Sequence, residues 1–204
     1  MKRSLLLLAA LFASSLAPSG ASARNFTLPQ VDYSADREVQ SGERWQTMIV
    51  HYSPGKERME LTGAAARGNV MIVRYDRGVT WVLMPRLGAY LELPNNVGDN
   101  ISSVVQSLDL QPAGRERIDG VEAAKYRVDG KLQGFMWLGA RGIPLRIDGD
   151  LDVDGKTTPA HLEQHNVVVA PQAAELFELP GGLARIELKD ARWLGLMQQY
   201  LTGK

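Results

Sequence analysis

The stretch VMIVRYDRGVTWVLM, residues 70–84, decides how this chain is read. Val70–Tyr75 and Val79–Met84 are short runs rich in β-branched and aromatic residues, and Asp76-Arg77-Gly78 between them is a turn sequence. Branching at Cβ favours extended backbone, and glycine frees the turn, so the stretch predicts an antiparallel hairpin. The pattern repeats outward. Before it, Trp45–Tyr52 and Glu57–Leu61 flank Ser53-Pro54-Gly55-Lys56. After it, Pro85–Gly88 turns the chain into Ala89–Leu93. A second series runs through Gly114–Ile118, Val121–Val128, Gln133–Leu138, Ile143–Ile147, Leu151–Val153 and Ala160–Val169. Its punctuation is Asp119-Gly120, Asp129-Gly130, Gly139–Gly142 and Asp154-Gly155. Short strands joined by tight turns predict an antiparallel meander. The residues before Trp45 read only as a polar start.

Two segments break the rhythm. Ile101, Val104, Val105 and Leu108 recur at helical spacing, so a short helix is expected over Asn100–Leu110, capped by Asp99 or Asn100. Ala191, Leu194, Met197 and Leu201 form one stripe, which predicts a C-terminal amphipathic helix at about 190–201. Pro171–Phe177 reads as a helical turn stopped by Pro180-Gly181-Gly182, and Ala184–Leu188 as a last short strand. In Trp45–Tyr52 and Val79–Met84 both faces are largely apolar, whereas a sheet with one wet face alternates cleanly. Something must cover the second face, and the helices are the expected cover. The fold class that follows is mainly β with short helices: a strongly curved antiparallel sheet wrapped around one or more helices.

Residues 1–23 carry Lys2 and Arg3, an apolar run Leu5–Phe12, and Ala21-Ser22-Ala23 as a small-x-small processing site. This is the pattern of a cleaved secretory signal, and the run is shorter than the roughly 20 residues a spanning helix needs. A single domain over 24–204, working outside the cytoplasm, is expected. Lys and Arg number 23 and Asp and Glu also 23, so loss of Lys2 and Arg3 leaves a slightly acidic chain. No polybasic block invites nucleic acid. The sequence has no cysteine, which excludes disulfides, thiolate metal sites and acylation of a cysteine.

Gln46–Leu61 with its Ser-Pro-Gly-Lys turn, Thr80–Pro85 with Tyr90, Glu116–Tyr126, Phe135–Leu138 with Gly142–Arg146, and Leu176-Phe177 with Pro180 occur in a telling order. Together they resemble a periplasmic domain family of unknown function grouped with the LolA/LolB lipoprotein carriers, over roughly residues 32–180. The resemblance implies an unclosed, strongly curved barrel with helices in its mouth, whose hollow holds acyl chains in the carriers. It favours the periplasm as the location, and implies as partners a lipid, a lipoprotein or an envelope protein, with transient membrane contact, and no cofactor.

Against that background Trp81, Tyr90, Trp137 and Met59 are the expected ligand-lining residues, because flat aromatic rings and an adaptable thioether suit an apolar guest as well as a core. Arg58 and Arg74 sit among apolar strand residues and need a carboxylate (Glu60, Asp76 or Glu92) or a ligand head group. Asp150, Asp152, Asp154 and Gly155 match the first half of a calcium loop, but its twelfth position is His161 and Glu163 comes two residues late, so strand and turn is the preferred reading. His161 and His165, four apart along a strand, are about 13 Å apart, too far for one metal ion. His51 is the remaining histidine. No metal site is expected. No nucleophile elbow, zinc motif or phosphate loop is present, so the chain reads as non-catalytic. A carrier of an apolar ligand in the barrel cavity is the first expectation. An envelope interaction or maintenance factor with a filled barrel is the alternative.

Overall fold

The structure, a computed structural model, describes residues 24–41, 43–63, 68–94, 108–153 and 155–187. The expected signal segment, the helix at about 190–201, Asp154 and most of the expected mid-chain helix lie outside these residues.

Thirteen strands form one sheet. In chain order they are β1 Arg24–Asn25, β2 Tyr33–Ser41, β3 Arg44–Ser53, β4 Lys56–Leu61, β5 Val70–Arg74, β6 Val79–Met84, β7 Ala89–Pro94, β8 Asp109–Ile118, β9 Val121–Asp129, β10 Leu132–Leu138, β11 Pro144–Val153, β12 Lys156–Val168 and β13 Ala184–Ile186. The spatial order is β1-β8-β9-β10-β11-β12-β2-β3-β4-β5-β6-β7-β13. Two meanders, β2–β7 and β8–β12, are thus joined edge to edge by the antiparallel pairing of β12 with β2. All pairings are antiparallel except β13 on β7. The sheet is a curved barrel that does not close: β1 and β13 are its two edges. Helical structure among the described residues is confined to three 3-10 turns, Pro85–Leu87, Ala140–Gly142 and Ala174–Phe177.

Three elements differ from the sequence-based expectation. Leu108 is not helical and Asp109–Leu110 open β8, whose ladder absorbs Pro112 through a register shift between Pro112 and Gly114. The segments Ile143–Ile147 and Leu151–Val153 are one strand, β11, carried past Gly149 because Gly149 lies opposite Gly134 on β10. A Cβ on Gly149 would stand 2.3 Å from the Gln133 carbonyl oxygen, so the two backbones approach as only facing glycines allow. The largest difference is β2. The polar start contains a nine-residue strand at the very seam of the two meanders.

The inner face carries the main core. Leu110, Val128, Leu132, Met136, Ile147 and Leu162 pack together from β8–β12, and Met48, Val50, Met59 and Val73 from β3–β5. Full burial of each such side chain stabilises the fold by about 1.5–3 kcal/mol. Between the two clusters lies a polar seam. Arg37, on the inner face of β2 and 8% exposed, reaches over β3 to Glu57 at 2.7 Å. It also donates to Gln164 of β12 at 3.1 and 3.0 Å. Burial, the largest single effect, would pull the guanidinium pKa down, but the charge and hydrogen bond of Glu57 together with Tyr33 and Tyr75 outweigh it and hold it above the usual value. The Tyr75 hydroxyl donates to the other Glu57 oxygen at 3.3 Å. Beside the pair Tyr33 stacks on Tyr52, and burial pushes the Tyr33 phenol up to about 12.

The second apolar face has an unexpected cover. The outer side of β5 and β6 offers Val70, Ile72, Trp81 and Leu83, and the chain after β12 lies across it. Phe177 is 1% exposed, Leu179 and Leu183 pack on Ile72 and its neighbours, and β13 finishes the strap on the β7 edge.

Removing one partner of the seam strands the other charge in the interior. Arg37→Met should lower the unfolding free energy by about 3–5 kcal/mol, and adding Glu57→Leu should recover more than half of that loss. Urea unfolding of the two variants checks this; a double variant no more stable than the single one would refute it.

Candidate functional site

The site is assembled from strand ends. At one end of the barrel three connections meet. The β8–β9 turn is Asp119-Gly120, both with positive φ (47° and 79°), as a tight two-residue hairpin requires. The β10–β11 connection contains the 3-10 turn Ala140–Gly142, with Arg141 at φ 59° and ψ 19°. At the end of β12 the register shifts between His165 and Val168, and Asn166 takes φ 51°. These are the three non-glycine residues with positive φ among the described residues. Left-handed backbone is disfavoured for residues with a Cβ, least for Asn and Asp, so its concentration at one place marks a constrained locus.

All three border one cavity of about 450 Å³. Ile118, Val121, Ile143, Leu145, Val167 and Val169 give it apolar walls. Ile118, Ile143 and Leu145 are buried, whereas Val121 and Val169 are 49% and 46% exposed at its opening. Gly139 leaves the room Leu145 needs, since a Cβ there would lie 2.9 Å from Leu145 Cδ1. Asp119, Gln164, His165 and Asn166 make the polar rim. His165 Nδ1 bonds the Asp119 carboxylate, and Asn166 donates to Asp36 at 2.7 Å. Gln164 donates to the Pro144 carbonyl and accepts from Arg37, so one wall of the cavity is pinned to the buried seam.

A second cavity, about 400 Å³, lies on the other side of the Arg141-Gly142 turn. Its lining combines that turn with Leu110, Leu138 and the arm Asn25–Val31. The arm crosses the barrel end and is fastened there: Phe26 is buried and its amide donates to the Leu108 carbonyl at 2.9 Å, while Tyr52 donates to the Pro29 carbonyl at 3.0 Å. Beneath the arm, against Tyr33, Arg37 and Glu57, lies a further space of about 50 Å³, room for water molecules.

None of the six residues singled out from sequence lines either end cavity. Met59 is on the inner face in the β3–β5 cluster, with Arg37 Nη1 3.8 Å from its sulfur. Arg58, Arg74, Trp81 and Tyr90 come together on the outer face, under or beside the strap. Arg58 pairs with Glu60 at 2.6 Å and donates to the Leu176 carbonyl at 3.2 Å. Arg74 grips both Asp76 oxygens at 2.8 and 2.7 Å, the Phe177 carbonyl at 3.0 Å and Glu178 at 2.7 Å. The hydrogen bonds from Arg74 hold the Asp76 and Glu178 carboxyls below their ordinary values. Trp81 donates to Glu92 at 3.0 Å. Trp137 lies at the far side of the sheet, donating to Glu116 at 2.9 Å with Lys125 over its ring, and packs behind the cavity wall with Ile118 and Ile143. The Trp137 indole N–H and Lys125 lower the Glu116 carboxyl.

Asp150 and Asp152 lie in β11, and Gly155 turns the β11–β12 hairpin with its amide donating to the Asp152 carboxylate at 2.8 Å. His161 bonds Asp148 at 2.5 Å and His51 bonds Gln172 at 2.8 Å. Asp119, Glu163 and His165 form the one group of three metal-type donors among the described residues, and Asp119 with His165 is already satisfied as a pair.

No family model matches this chain, and no curated protein does. Solved structures do. An uncharacterised conserved protein from Thermus thermophilus matches 77% of this chain and 90% of its own, with 19% identity and a TM-score of 0.54. The likeness is one of fold. The MucB of the Pseudomonas aeruginosa MucA/MucB complex matches 78% of this chain and 59% of its own length, at 14% identity and a TM-score of 0.46. A putative outer-membrane lipoprotein-sorting domain from Vibrio parahaemolyticus matches 74% and 91%, at 11% and 0.41. Among the described residues no helix is long and apolar enough to cross a membrane.

The Asp119 carboxylate raises the His165 pKa above the ordinary 6.5 through its hydrogen bond, against the opposing effect of burial. A raised histidine contributes stability that is complete below about pH 6.5 and is lost as pH climbs through the folded-state value. In Asp119→Asn, which keeps the turn, the His165 titration followed by NMR should fall back towards 6.5. An unmoved midpoint would show that Asp119 is not the cause.

Proposed function

We propose that this chain is a non-catalytic periplasmic protein that binds an apolar chain, of a lipid or of an acylated protein, at the open end of its barrel. The observation that carries this reading is the cavity of about 450 Å³ with apolar walls, two exposed valines at its opening and a polar rim. Small-molecule sites fall between about 300 and 1,000 Å³ and combine those features. The space beneath the arm, at about 50 Å³, is far too small for an acyl chain. The guest therefore belongs at the end, against Val121, Ile143, Leu145, Val167 and Val169. Arg58, Arg74, Trp81 and Tyr90 serve that site indirectly, by holding the strap and so the curvature of the sheet. Secretion through the signal segment is part of the proposal, as is the absence of chemistry at the site.

A second reading, an envelope protein-interaction factor, draws on Trp45 and Ile49. They lie four residues apart on the outer face of β3, and are 57% and 39% exposed.

Native mass spectrometry of the protein taken from its own envelope separates the two. A bound acyl species is expected, and it should be lost in a Val121→Asp, Val169→Asp variant of unchanged melting temperature, whose affinity falls about tenfold or more with the two apolar contacts removed. A clean apo mass under gentle conditions would sink the ligand reading and favour the interaction factor.

A further inference from the structure

We propose that Arg141 is the anchor for an anionic head group, so that the guest is an amphiphile ending in a carboxylate or phosphate ester; this rests on the end cavities holding an apolar chain. Three observations converge on that side chain. First, Arg141 lines both end cavities, and it is the one guanidinium in either lining. A head group held there can send its chain into the space on one side or the other. Second, Arg141 is exposed and makes no side-chain hydrogen bond or ion pair among the described residues; Arg86 and Arg115 share that state, but neither lines an end cavity, and Arg37, Arg58, Arg74, Arg77, Arg117, Arg127, Arg146 and Arg185 each have a carboxylate partner. A surface arginine needs no partner, but one set over two apolar hollows offers five donors to whatever enters them.

Third, the backbone spends free energy to put it there. Arginine is not a residue the left-handed region favours, and the φ of 59° is disfavoured relative to an ordinary conformation. Gly142, next in the chain, also has positive φ and could have been joined by an Asn or Gly at 141 without that cost.

The local charges agree. Asp119 is the one carboxylate lining either cavity, and it is already bonded to His165. Glu163, nearby on β12, is engaged by Arg146 and His161 at 3.5 and 3.4 Å. An anion approaching Arg141 therefore meets no competing free acid in the lining. Carboxylate and phosphate both match the guanidinium fork, so either head group satisfies the site.

The test uses the full mature chain and four palmitoyl probes: palmitate, palmitoyl lysophosphatidylglycerol, zwitterionic palmitoyl lysophosphatidylcholine and uncharged monopalmitoylglycerol. The wild-type chain should bind at least one of the two anionic probes about tenfold more tightly than monopalmitoylglycerol, as a charge-assisted hydrogen-bond pair provides. Whichever anion leads identifies the source, fatty acid or phospholipid. Arg141→Asn, which suits the left-handed backbone, should fold as well as the wild type and bind all four probes alike; Arg141→Lys should keep most of the preference. Equal wild-type affinity for all four probes, or an anionic preference that survives Arg141→Asn, would overturn the anchor while leaving the cavity reading intact. Failure of every probe to bind would overturn both.

Discussion

Arg37 and Glu57 hold the barrel together at the junction of its two meanders, where no turn connects the paired strands. Each meander is locally stitched, because consecutive strands pair through hairpins of a few residues. The junction of β12 with β2 is different: it brings together residues more than a hundred positions apart. Loop closure over such a span is entropically unfavourable, so the junction must be specified by contacts of its own. The guanidinium supplies them. It bonds Gln164 on one side of the junction and Glu57 two strands away on the other, and so fixes which residues of β12 face which residues of β2. A purely apolar seam would be as stable, but a one-residue slip of β2 would cost it less. With Arg37 on the inner face, a slip exposes Tyr33 and Ala35 and leaves Glu57 buried without a partner.

This seam is also why the central strand could not be read from sequence. The hairpins were legible because their turns are chemically marked: Asp76-Arg77-Gly78, Asp119-Gly120 and Asp129-Gly130 stand between β-branched runs. The segment YSADREVQS has the same alternation, but one of its inward positions is Arg37, and a charged residue at a core position erases the apolar signal. The inward partner that neutralises it is twenty residues away, and nothing local announces the pairing. The two-faced character of β6 was legible, as it was for β3, and so was the need for a cover. The identity of the cover was not, since Ala174–Phe177 is only a turn by composition and its hold on the sheet runs through Arg58 and Arg74 to backbone carbonyls, which carry no sequence signature.

The end cavity was hidden for a related reason. Aromatic and methionine side chains are conspicuous in a sequence, and here they mostly build walls: Trp81 beneath the strap, Trp137 behind the lining, Met59 in the core. The cavity itself is made by valines, isoleucines and the connections between strands. Gly139–Gly142 was readable as a turn, yet the fact that Arg141 rather than a glycine takes its left-handed position depends on backbone geometry.

Core and site are continuous. Gln164 accepts from Arg37 through its side-chain oxygen and lines the end cavity, and its amide nitrogen holds the Pro144 carbonyl at the start of β11. Arg141 lies three residues before Pro144, in the turn that feeds β11. The polar seam that sets the register of the two meanders therefore also sets the distance between the Arg141 turn and the end of β12, which is the width of the cavity. The arm Asn25–Val31 adds the opposite constraint. Leu28 borders both the small space beneath the arm and the cavity beside Arg141, so the arm divides the hollow of the barrel from its mouth. A filled centre and a roomy end are then two consequences of one arrangement: aromatic rings and an ion pair close the middle of the sheet, and the space displaced from there is found where the strands stop.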